Sequence, residues 1–135
     1  KTLSEVNFEE AEMLILPGGI PGTPNLRACT ALCEKLKEFA ANGKKVAAVC
    51  AAPTVLGELG ILEGKKATCY PSFADKLATG ELAEYLTEPV VIDGQFTTSR
   101  GMGTCIEFAG AIIAALKDKA TADAVKEAII YNDVY

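Results

Sequence analysis

Short apolar runs alternate with amphipathic stretches along most of the chain. Residues 13–16 and 45–49 are apolar runs of strand length, and a proline-glycine loop follows the first of them. Between the two runs, apolar residues recur at steps of three and four and predict the buried face of a single helix: Leu26, Cys29, Leu32, Cys33, Leu36 and Phe39. The alternation predicts an α/β domain with a mostly parallel sheet covered by helices.

The second half of the chain continues the pattern with shorter elements. They are a strand at residues 67–69, a short helix at 73–77, a long apolar helix at 105–116 and a last helix at 122–130. Asp93-Gly94 lies between β-branched runs and predicts a hairpin over residues 90–98. Thr121 is expected to cap the last helix.

Size and composition are those of one soluble globular domain. The 135 residues suffice for one hydrophobic core, and half of them are hydrophobic. The net charge is -5 with lysine and arginine scattered among acids, so no basic stripe is available for nucleic acid. No apolar run is long enough to cross a bilayer, and the first residues do not form a signal peptide. We therefore expect one cytoplasmic domain over residues 1–135, with no nucleic-acid or membrane partner.

The chain has five cysteines and no histidine. The odd number and the irregular spacing predict free thiols rather than disulfides. Without histidine, this chain alone cannot assemble a Cys-His pair or a Ser-His-Asp triad. Cys29 and Cys33 have a spacing that metal sites use, but no histidine or second cysteine pair completes a zinc site, so no metal is expected. We expect Cys29, Cys33, Cys69 and Cys105 to be packing residues.

Cys50 follows the apolar strand at residues 45–49 and precedes Ala51, Ala52 and Pro53. Small residues permit a tight strand-to-helix turn, and proline is well tolerated in the first turn of a helix. Such an elbow presents a nucleophile at the carboxyl end of a sheet, as in the serine α/β hydrolases. The following helix offers N–H groups and a positive dipole end to a thiolate. The alternative is that Cys50 is a small apolar residue closing a buried strand, and the spacing alone leaves both interpretations open.

Two glycines, Gly18 and Gly19, follow the first predicted strand. Glycine pairs let the backbone approach a ligand closely, and with the Ala51 N–H they would form a two-donor oxyanion hole. The alternative is an ordinary turn. Neither this segment nor residues 101–103 completes a G-x-G-x-x-G pattern, so no dinucleotide site is predicted.

Two further side chains are candidates for lining a site. Tyr70 either lines the site or finds a partner for its hydroxyl at the surface. Arg100, next to Ser99, is suited to hold a carboxylate through a bidentate contact. The alternative for Arg100 is a surface ion pair of little energy.

Five segments of the sequence, taken together, match the pattern of a known family. They are residues 14–19 (LILPGG), 46–56 (VAAVCAAPTVL), 62–71 (LEGKKATCYP), 98–101 (TSRG) and 103–109 (GTCIEFA). With these segments in family order, the chain resembles the ThiJ/PfpI superfamily, and within it the Parkinson disease protein 7-like subgroup of deglycase and glyoxalase III-like proteins. The resemblance implies a flavodoxin-like three-layer α/β/α sandwich of the class I glutamine amidotransferase type, usually a homodimer.

The resemblance also implies roles for individual residues. Cys50 would be the reactive cysteine at the elbow, and the N–H groups of Gly19 and Ala51 would bind the oxyanion. Four residues would line the pocket: Gly18, Tyr70, Ser99 and Arg100. Members of the family act without a cofactor as glyoxalases on methylglyoxal, as deglycases of early glycated amines, or as redox-dependent chaperones.

The chain departs from the family pattern in two ways. The family opens with a strand, a helix and a second strand that carry a glutamate contacting the thiol, whereas this chain begins after them. The early glutamates do not match that position: Glu5, Glu9, Glu10 and Glu12. We expect the opening segment to have been cleaved, left out or present as a separate chain, because without it the sheet exposes an unpaired edge. In addition, Tyr70 stands where animal members have histidine, and Met102 replaces a common proline.

The sequence thus predicts a cysteine-dependent, cofactor-independent enzyme that acts on reactive carbonyls through Cys50. Two alternatives are retained: a redox-sensing or chaperone protein in which Cys50 is oxidised, and an inactive fragment. Peptidase activity is not expected, because in the more distant relatives it usually needs a histidine beside the cysteine.

Overall fold

The computed structural model describes residues 1–78 and 83–131. In chain order its strands and helices are β1 (Met13–Leu16), α1 (Gly22–Ala28), α2 (Thr30–Ala41), β2 (Lys45–Val49), α3 (Pro53–Glu58), β3 (Lys66–Ala67), α4 (Ala74–Ala78), β4 (Glu84–Tyr85), β5 (Val90–Asp93), β6 (Phe96–Ser99), α5 (Cys105–Leu116) and α6 (Lys119–Ala128). Both predicted strands of the first half, the hairpin and the long apolar helix are confirmed.

Four strands form the main sheet in the order β1-β2-β6-β5. β1 runs parallel to β2, and β2 runs parallel to β6, while β5 is antiparallel to β6. β3 and β4 form a separate parallel pair. Because β1, β2 and β6 point the same way, the loops that follow them meet at one edge of the sheet. This arrangement brings the segments after Leu16, Val49 and Ser99 together.

Helices cover both faces of the sheet. Val46 and Ala48 of β2 belong to the hydrophobic core, together with Leu36 of α2 and Leu56 of α3. Ala47 is equally buried but points to the other face, since side chains alternate along a strand. On that face α5 contacts β2, β5 and β6, and α6 packs on α5. The result is a three-layer α/β/α arrangement.

The first helical region differs from the sequence prediction. The single helix predicted through Leu26 and Phe39 is two helices, because Cys29 adopts an extended conformation with φ -82° and ψ 94°. The apolar spacing continues across this break, so periodicity alone does not reveal it. The predicted end at Asn42-Gly43 is confirmed, with Gly43 in the left-handed region at φ 69°.

The N-cap of α6 is a second correction. The predicted cap, Thr121, lies inside the helix, and its N–H donates to Asp118 Oδ1 at 2.7 Å. Asp118 is therefore the N-cap, three residues earlier than expected, and its carboxylate is a strong acceptor for the free N–H groups of the first turn. This hydrogen bond from Thr121 also lowers the pKa of Asp118.

Some apolar side chains lie at the surface of the main sheet. β1 forms one edge, and Ile15, paired with Ala47, is 48% exposed. Ile92 of the opposite edge strand β5 is also exposed. Within residues 1–78 and 83–131, no helix combines the length and the apolar character needed to cross a membrane.

Candidate active site

Cys50 occupies a strained position at the turn between β2 and α3. Its φ of 66° lies in the left-handed region, which costs an L-residue other than glycine about 1–2 kcal/mol. Two hydrogen bonds fix the residue there: its N–H donates to Ser99 O at 3.0 Å, and its carbonyl accepts from the Tyr70 N–H at 2.8 Å. The turn is therefore held from two neighbouring loops, as a strained functional residue requires.

Gly18 allows the elbow to pack against the loop after β1. A Cβ atom on Gly18 would lie 2.5 Å from Cys50 Cβ and 2.6 Å from Val49 O. Such distances are far inside van der Waals contact. The sequence predicted that this glycine pair permits close approach to a ligand, and in the structure Gly18 permits close approach of the elbow itself.

Of the two expected oxyanion donors, Gly19 lines the same pocket as Cys50, and Ala51 follows Cys50 in the chain without being part of the lining. Gly19 adopts the left-handed conformation, with a φ of 89°. The N atom of Ala51 is close to the loop after β1, since it would lie 3.1 Å from a Cβ atom placed on Gly18. Ala51 O is occupied, since it accepts from the hydroxyl of Thr54 at 2.7 Å. Within the described part of the chain, neither the Gly19 N–H nor the Ala51 N–H donates a hydrogen bond. Both donors are thus free of protein acceptors.

The thiol opens into a pocket of about 420 Å³. Its lining is Gly18, Gly19, Val49, Cys50, Gly101, Met102 and Cys105. Cys50 is half-buried, and it is not among the residues of the hydrophobic core. Its sulfur therefore belongs to a cavity wall with access to solvent, and the wall around it is mostly apolar.

Tyr70 and Arg100 line a second, shallower depression of about 300 Å³. This depression shares Gly101 and Met102 with the thiol pocket, so the two cavities adjoin. The Tyr70 ring packs against Gly101, where a Cβ would be 3.5 Å from Tyr70 Cδ2. Arg100 is half-buried, and its Nε is buried without a hydrogen-bond partner in the described residues.

Ser99 lies behind the pocket wall. It is fully buried, and its hydroxyl donates to Pro89 O at 2.8 Å and contacts the Thr104 hydroxyl at 2.7 Å. Thr104 Oγ1 in turn accepts from the Gly101 N–H at 3.1 Å. Ser99 thus fixes the turn that carries one side of the pocket, and it does not contribute to the lining.

The remaining thiols differ in their surroundings. Cys69 is completely buried, as predicted, and burial raises its pKa from 9.0 to about 11, with the positive charge of Arg100 opposing the rise. Cys105 was predicted to be a packing residue, and this is wrong: it is exposed and lines the thiol pocket. Its position just after the loop that follows β6, at the same sheet edge as Cys50, was the signal available in the sequence.

No set of three or more cysteine, aspartate or glutamate side chains is arranged to hold a metal ion within residues 1–78 and 83–131. Cys29 is half-buried and packs against the core. The half-buried Cys33 directs its thiol at Arg27 O, 3.3 Å away. Neither lines the thiol pocket: Cys29 lies between α1 and α2, and Cys33 lies in α2.

These features define an α/β sandwich with a cysteine on a tight strand-to-helix turn at the carboxyl end of three parallel strands. Residues 1–115 match the DJ-1/PfpI family, and the chain belongs to that family. The solved structure of oxidised Toxoplasma gondii DJ-1 is similar, with a TM-score of 0.84 at 34% identity over 93% of this chain and 67% of that chain. The expected flavodoxin-like fold is confirmed.

Two curated relatives extend the comparison. Protein DJ-1 homolog A of Arabidopsis thaliana is 42% identical over 129 residues, which are 95% of this chain and 33% of that protein. The glutathione-independent glyoxalase DJR-1.2 of Caenorhabditis elegans is 37% identical over 115 residues, which are 85% of this chain and 60% of that protein. The chain therefore spans less than two thirds of the length of either relative.

Proposed function

We propose that the protein is a cysteine-dependent, cofactor-independent enzyme for small reactive carbonyls, of the glyoxalase III or deglycase type. The observation that carries the proposal is Cys50 at φ 66°, held by two backbone hydrogen bonds at the wall of a pocket of about 420 Å³. The name of the related C. elegans glyoxalase supports the choice of methylglyoxal as the first substrate to test.

The reaction begins with nucleophilic addition. The Cys50 thiolate attacks the aldehyde carbon of methylglyoxal, a C–S bond forms, and the carbonyl π electrons move onto oxygen. The N–H groups of Gly19 and Ala51, which donate no hydrogen bond within the described residues, are the proposed donors for this oxyanion. The product is a hemithioacetal on Cys50.

The second step moves a proton between the two substrate carbons. The former aldehyde carbon loses its proton, the former ketone carbon gains one, and a lactoyl thioester on Cys50 results. Water then attacks the thioester, the C–S bond breaks, and lactic acid leaves with the thiol restored. The family resemblance assigns the base of this step to a glutamate in the family's opening strand-helix-strand, and no carboxylate among the described residues lines the pocket.

The depression beside the thiol pocket offers a place for an anionic group of the substrate. Arg100 is half-buried there, and it makes no hydrogen bond or ion pair within the described residues. A guanidinium binds a carboxylate in a bidentate manner. Carbonyl compounds that carry a carboxylate, or amino acid adducts in deglycation, therefore suit the combined cavity.

Lactate formation from methylglyoxal tests the proposal. We expect turnover by the wild type and no turnover by Cys50→Ala or Cys50→Ser, while the control Cys33→Ser, whose thiol lies outside the pocket, keeps wild-type activity. Equal activity of the Cys50 variants would refute the role of the thiol. A folded wild type without any turnover of methylglyoxal would refute the carbonyl function.

A redox-sensing or chaperone role is the second candidate, favoured by the access of the half-buried Cys50 thiol to solvent and by the oxidised state of the related T. gondii structure. Preferential peroxide oxidation of Cys50 without carbonyl turnover would support it. Uniform oxidation of all thiols would count against it. A cytoplasmic location and a homodimer remain predictions, and light scattering of the purified protein tests the latter.

A further inference from the structure

A second thiol shares the pocket of Cys50. Cys105 is exposed, stands at the first position of α5, and lines the same cavity of about 420 Å³ as Cys50. The proposed carbonyl chemistry uses only the Cys50 thiol and assigns no role to Cys105. Two cysteines in one solvent-accessible cavity are the arrangement in which an oxidised sulfur meets a second thiol before it is oxidised further.

The three-residue segment 99–101 connects the two cysteines. The N–H of Cys50 donates to Ser99 O at 3.0 Å, and the thiol of Cys105 donates to Gly101 O at 3.4 Å. Each cysteine is therefore fixed to one end of this segment. Because Ser99 and Gly101 are only two residues apart, the side chains of Cys50 and Cys105 are held at the same cavity wall.

The turn before α5 has room for the adjustment that a disulfide requires. A disulfide needs Cα atoms within about 7 Å. No atom lies within 4 Å of the position that a Cβ atom on Gly103 would occupy, and the neighbouring Met102 is 92% exposed. The hydrogen bonds of Thr104 to Ser99 and Gly101 hold the two ends of this turn, while Met102 and Gly103 between them meet little packing resistance to an adjustment toward the elbow.

The other cysteines do not compete for this role. Cys69 is completely buried and its thiol donates to Tyr70 O at 3.4 Å. Cys29 and Cys33 do not line the cavity. Cys105 is thus the one thiol, among the described residues, that shares a cavity with Cys50.

We propose that Cys105 is the resolving thiol for Cys50, and that the pair reduces hydroperoxides through a reversible intramolecular disulfide. The Cys50 thiolate attacks one oxygen of the hydroperoxide, an S–O bond forms, the O–O bond breaks, and an alcohol leaves with the thiol proton. Cys105 then attacks the sulfenic sulfur, the S–S bond forms, and the S–O bond breaks with release of water. The two sulfurs together lose two electrons, which reduce the peroxide bond. An external dithiol restores both thiols by exchange.

Peptide mapping after one equivalent of hydrogen peroxide tests the pair. In the wild type we expect a peptide linked between Cys50 and Cys105, lost on treatment with dithiothreitol. In Cys105→Ser and Cys105→Ala we expect no linked peptide, Cys50 sulfenic acid after the first equivalent and Cys50 sulfinic acid after a second equivalent, whereas the control Cys33→Ser behaves as the wild type. A dithiol-dependent cycle of peroxide consumption is expected in the wild type and lost in both Cys105 variants.

Three results would overturn the proposal: a wild type in which Cys50 becomes sulfinic while Cys105 stays free, a disulfide only between separate molecules, or a Cys50 that does not react with peroxide. The readout uses no carbonyl substrate. A protein that forms the disulfide but leaves methylglyoxal unchanged would therefore refute the carbonyl function alone, and the converse would refute the disulfide alone.

Discussion

A Cβ atom placed on Gly18 would lie only 2.5 Å from Cβ of Cys50. The loop after β1 thus approaches the elbow after β2 so closely at Gly18 that no side chain fits between them. This contact sets the position of Cys50 from one side, and the hydrogen bonds of the elbow to Ser99 and Tyr70 set it from two others. The thiol is therefore positioned by three loops at the carboxyl end of the sheet.

We expect Gly18→Ala to displace the elbow. The added methyl group meets Cys50 Cβ and Val49 O, neither of which is the far end of a flexible chain, so overpacking of about 1–3 kcal/mol follows. The free energy of unfolding in urea and the rate of methylglyoxal turnover should both fall. Gly22→Ala is the matched control, because nothing lies within 4 Å of a Cβ there. Equal stability and activity of Gly18→Ala and the wild type would contradict the contact.

Replacing Cys50 by glycine and by alanine measures the strain at the elbow. Both variants lack the thiol, but glycine tolerates φ 66° without the Cβ penalty. We expect Cys50→Gly to be more stable than Cys50→Ala by about 1 kcal/mol in urea unfolding. At Ala52, where φ is -64°, the change to glycine should instead cost about 0.5–1 kcal/mol. An alanine variant as stable as the glycine variant would show that position 50 is not strained.

Arg100→Gln should affect charged and neutral ligands differently. Glyoxylate has an aldehyde for Cys50 and a carboxylate for Arg100, but it has no second carbonyl to isomerise, so it is tested as an inhibitor of glyoxal turnover. Loss of a hydrogen bond to a charged group costs about 1.5–3 kcal/mol, which corresponds to roughly a 10- to 160-fold rise in the inhibition constant of glyoxylate. The KM for glyoxal, which lacks the carboxylate, should stay near the wild-type value. Arg100→Lys keeps the charge without the bidentate geometry, so its inhibition constant should lie between those of the wild type and Arg100→Gln. Equal changes in the two constants would rule out an anion site at Arg100.

Alkylation of the folded and the urea-unfolded protein tests the burial of Cys69. With a pKa of about 11, only about one Cys69 thiol in a thousand is ionised at pH 8, so iodoacetamide should leave it unmodified in the folded protein. After unfolding in urea the pKa returns toward 9 and labelling should proceed. Because burial raises the pKa of Cys69, the unfolded state loses this proton first, and the free energy of unfolding falls as the pH rises from 9 toward 11. Native-state labelling of Cys69 as fast as Cys50 would contradict its burial.

The strands and the long helix were predictable because their apolar patterns are strong. β2 is an unbroken apolar run, and α5 has the predicted bounds Cys105–Leu116. The break at Cys29 was not predictable, because it is set by a local backbone conformation while the apolar spacing continues across it. The cap of α6 was missed because Asp118 and Thr121 are both good cap residues, and only the geometry decides between them.

The candidate site was predictable in its centre and less so at its wall. The strand-turn-helix pattern located Cys50, and the glycine pair located the neighbouring loop. Ser99 was expected in the lining, but the structure turns its hydroxyl toward Pro89 and Thr104. Cys105 was assigned to packing because it opens an apolar helix, and its access to the pocket depends on how the preceding turn leaves the sheet. The sequence places Cys105 at the same sheet edge as Cys50, but tertiary contacts decide whether its thiol faces the pocket.

The most direct test of the role of Cys50 is acid quenching of the wild type during methylglyoxal turnover, followed by peptide mass spectrometry. The predicted result is an adduct of one substrate molecule on the peptide that carries Cys50, present during turnover and gone once the substrate is consumed. Turnover that leaves the Cys50 peptide unmodified throughout, or a transient adduct on a different residue, would contradict that role.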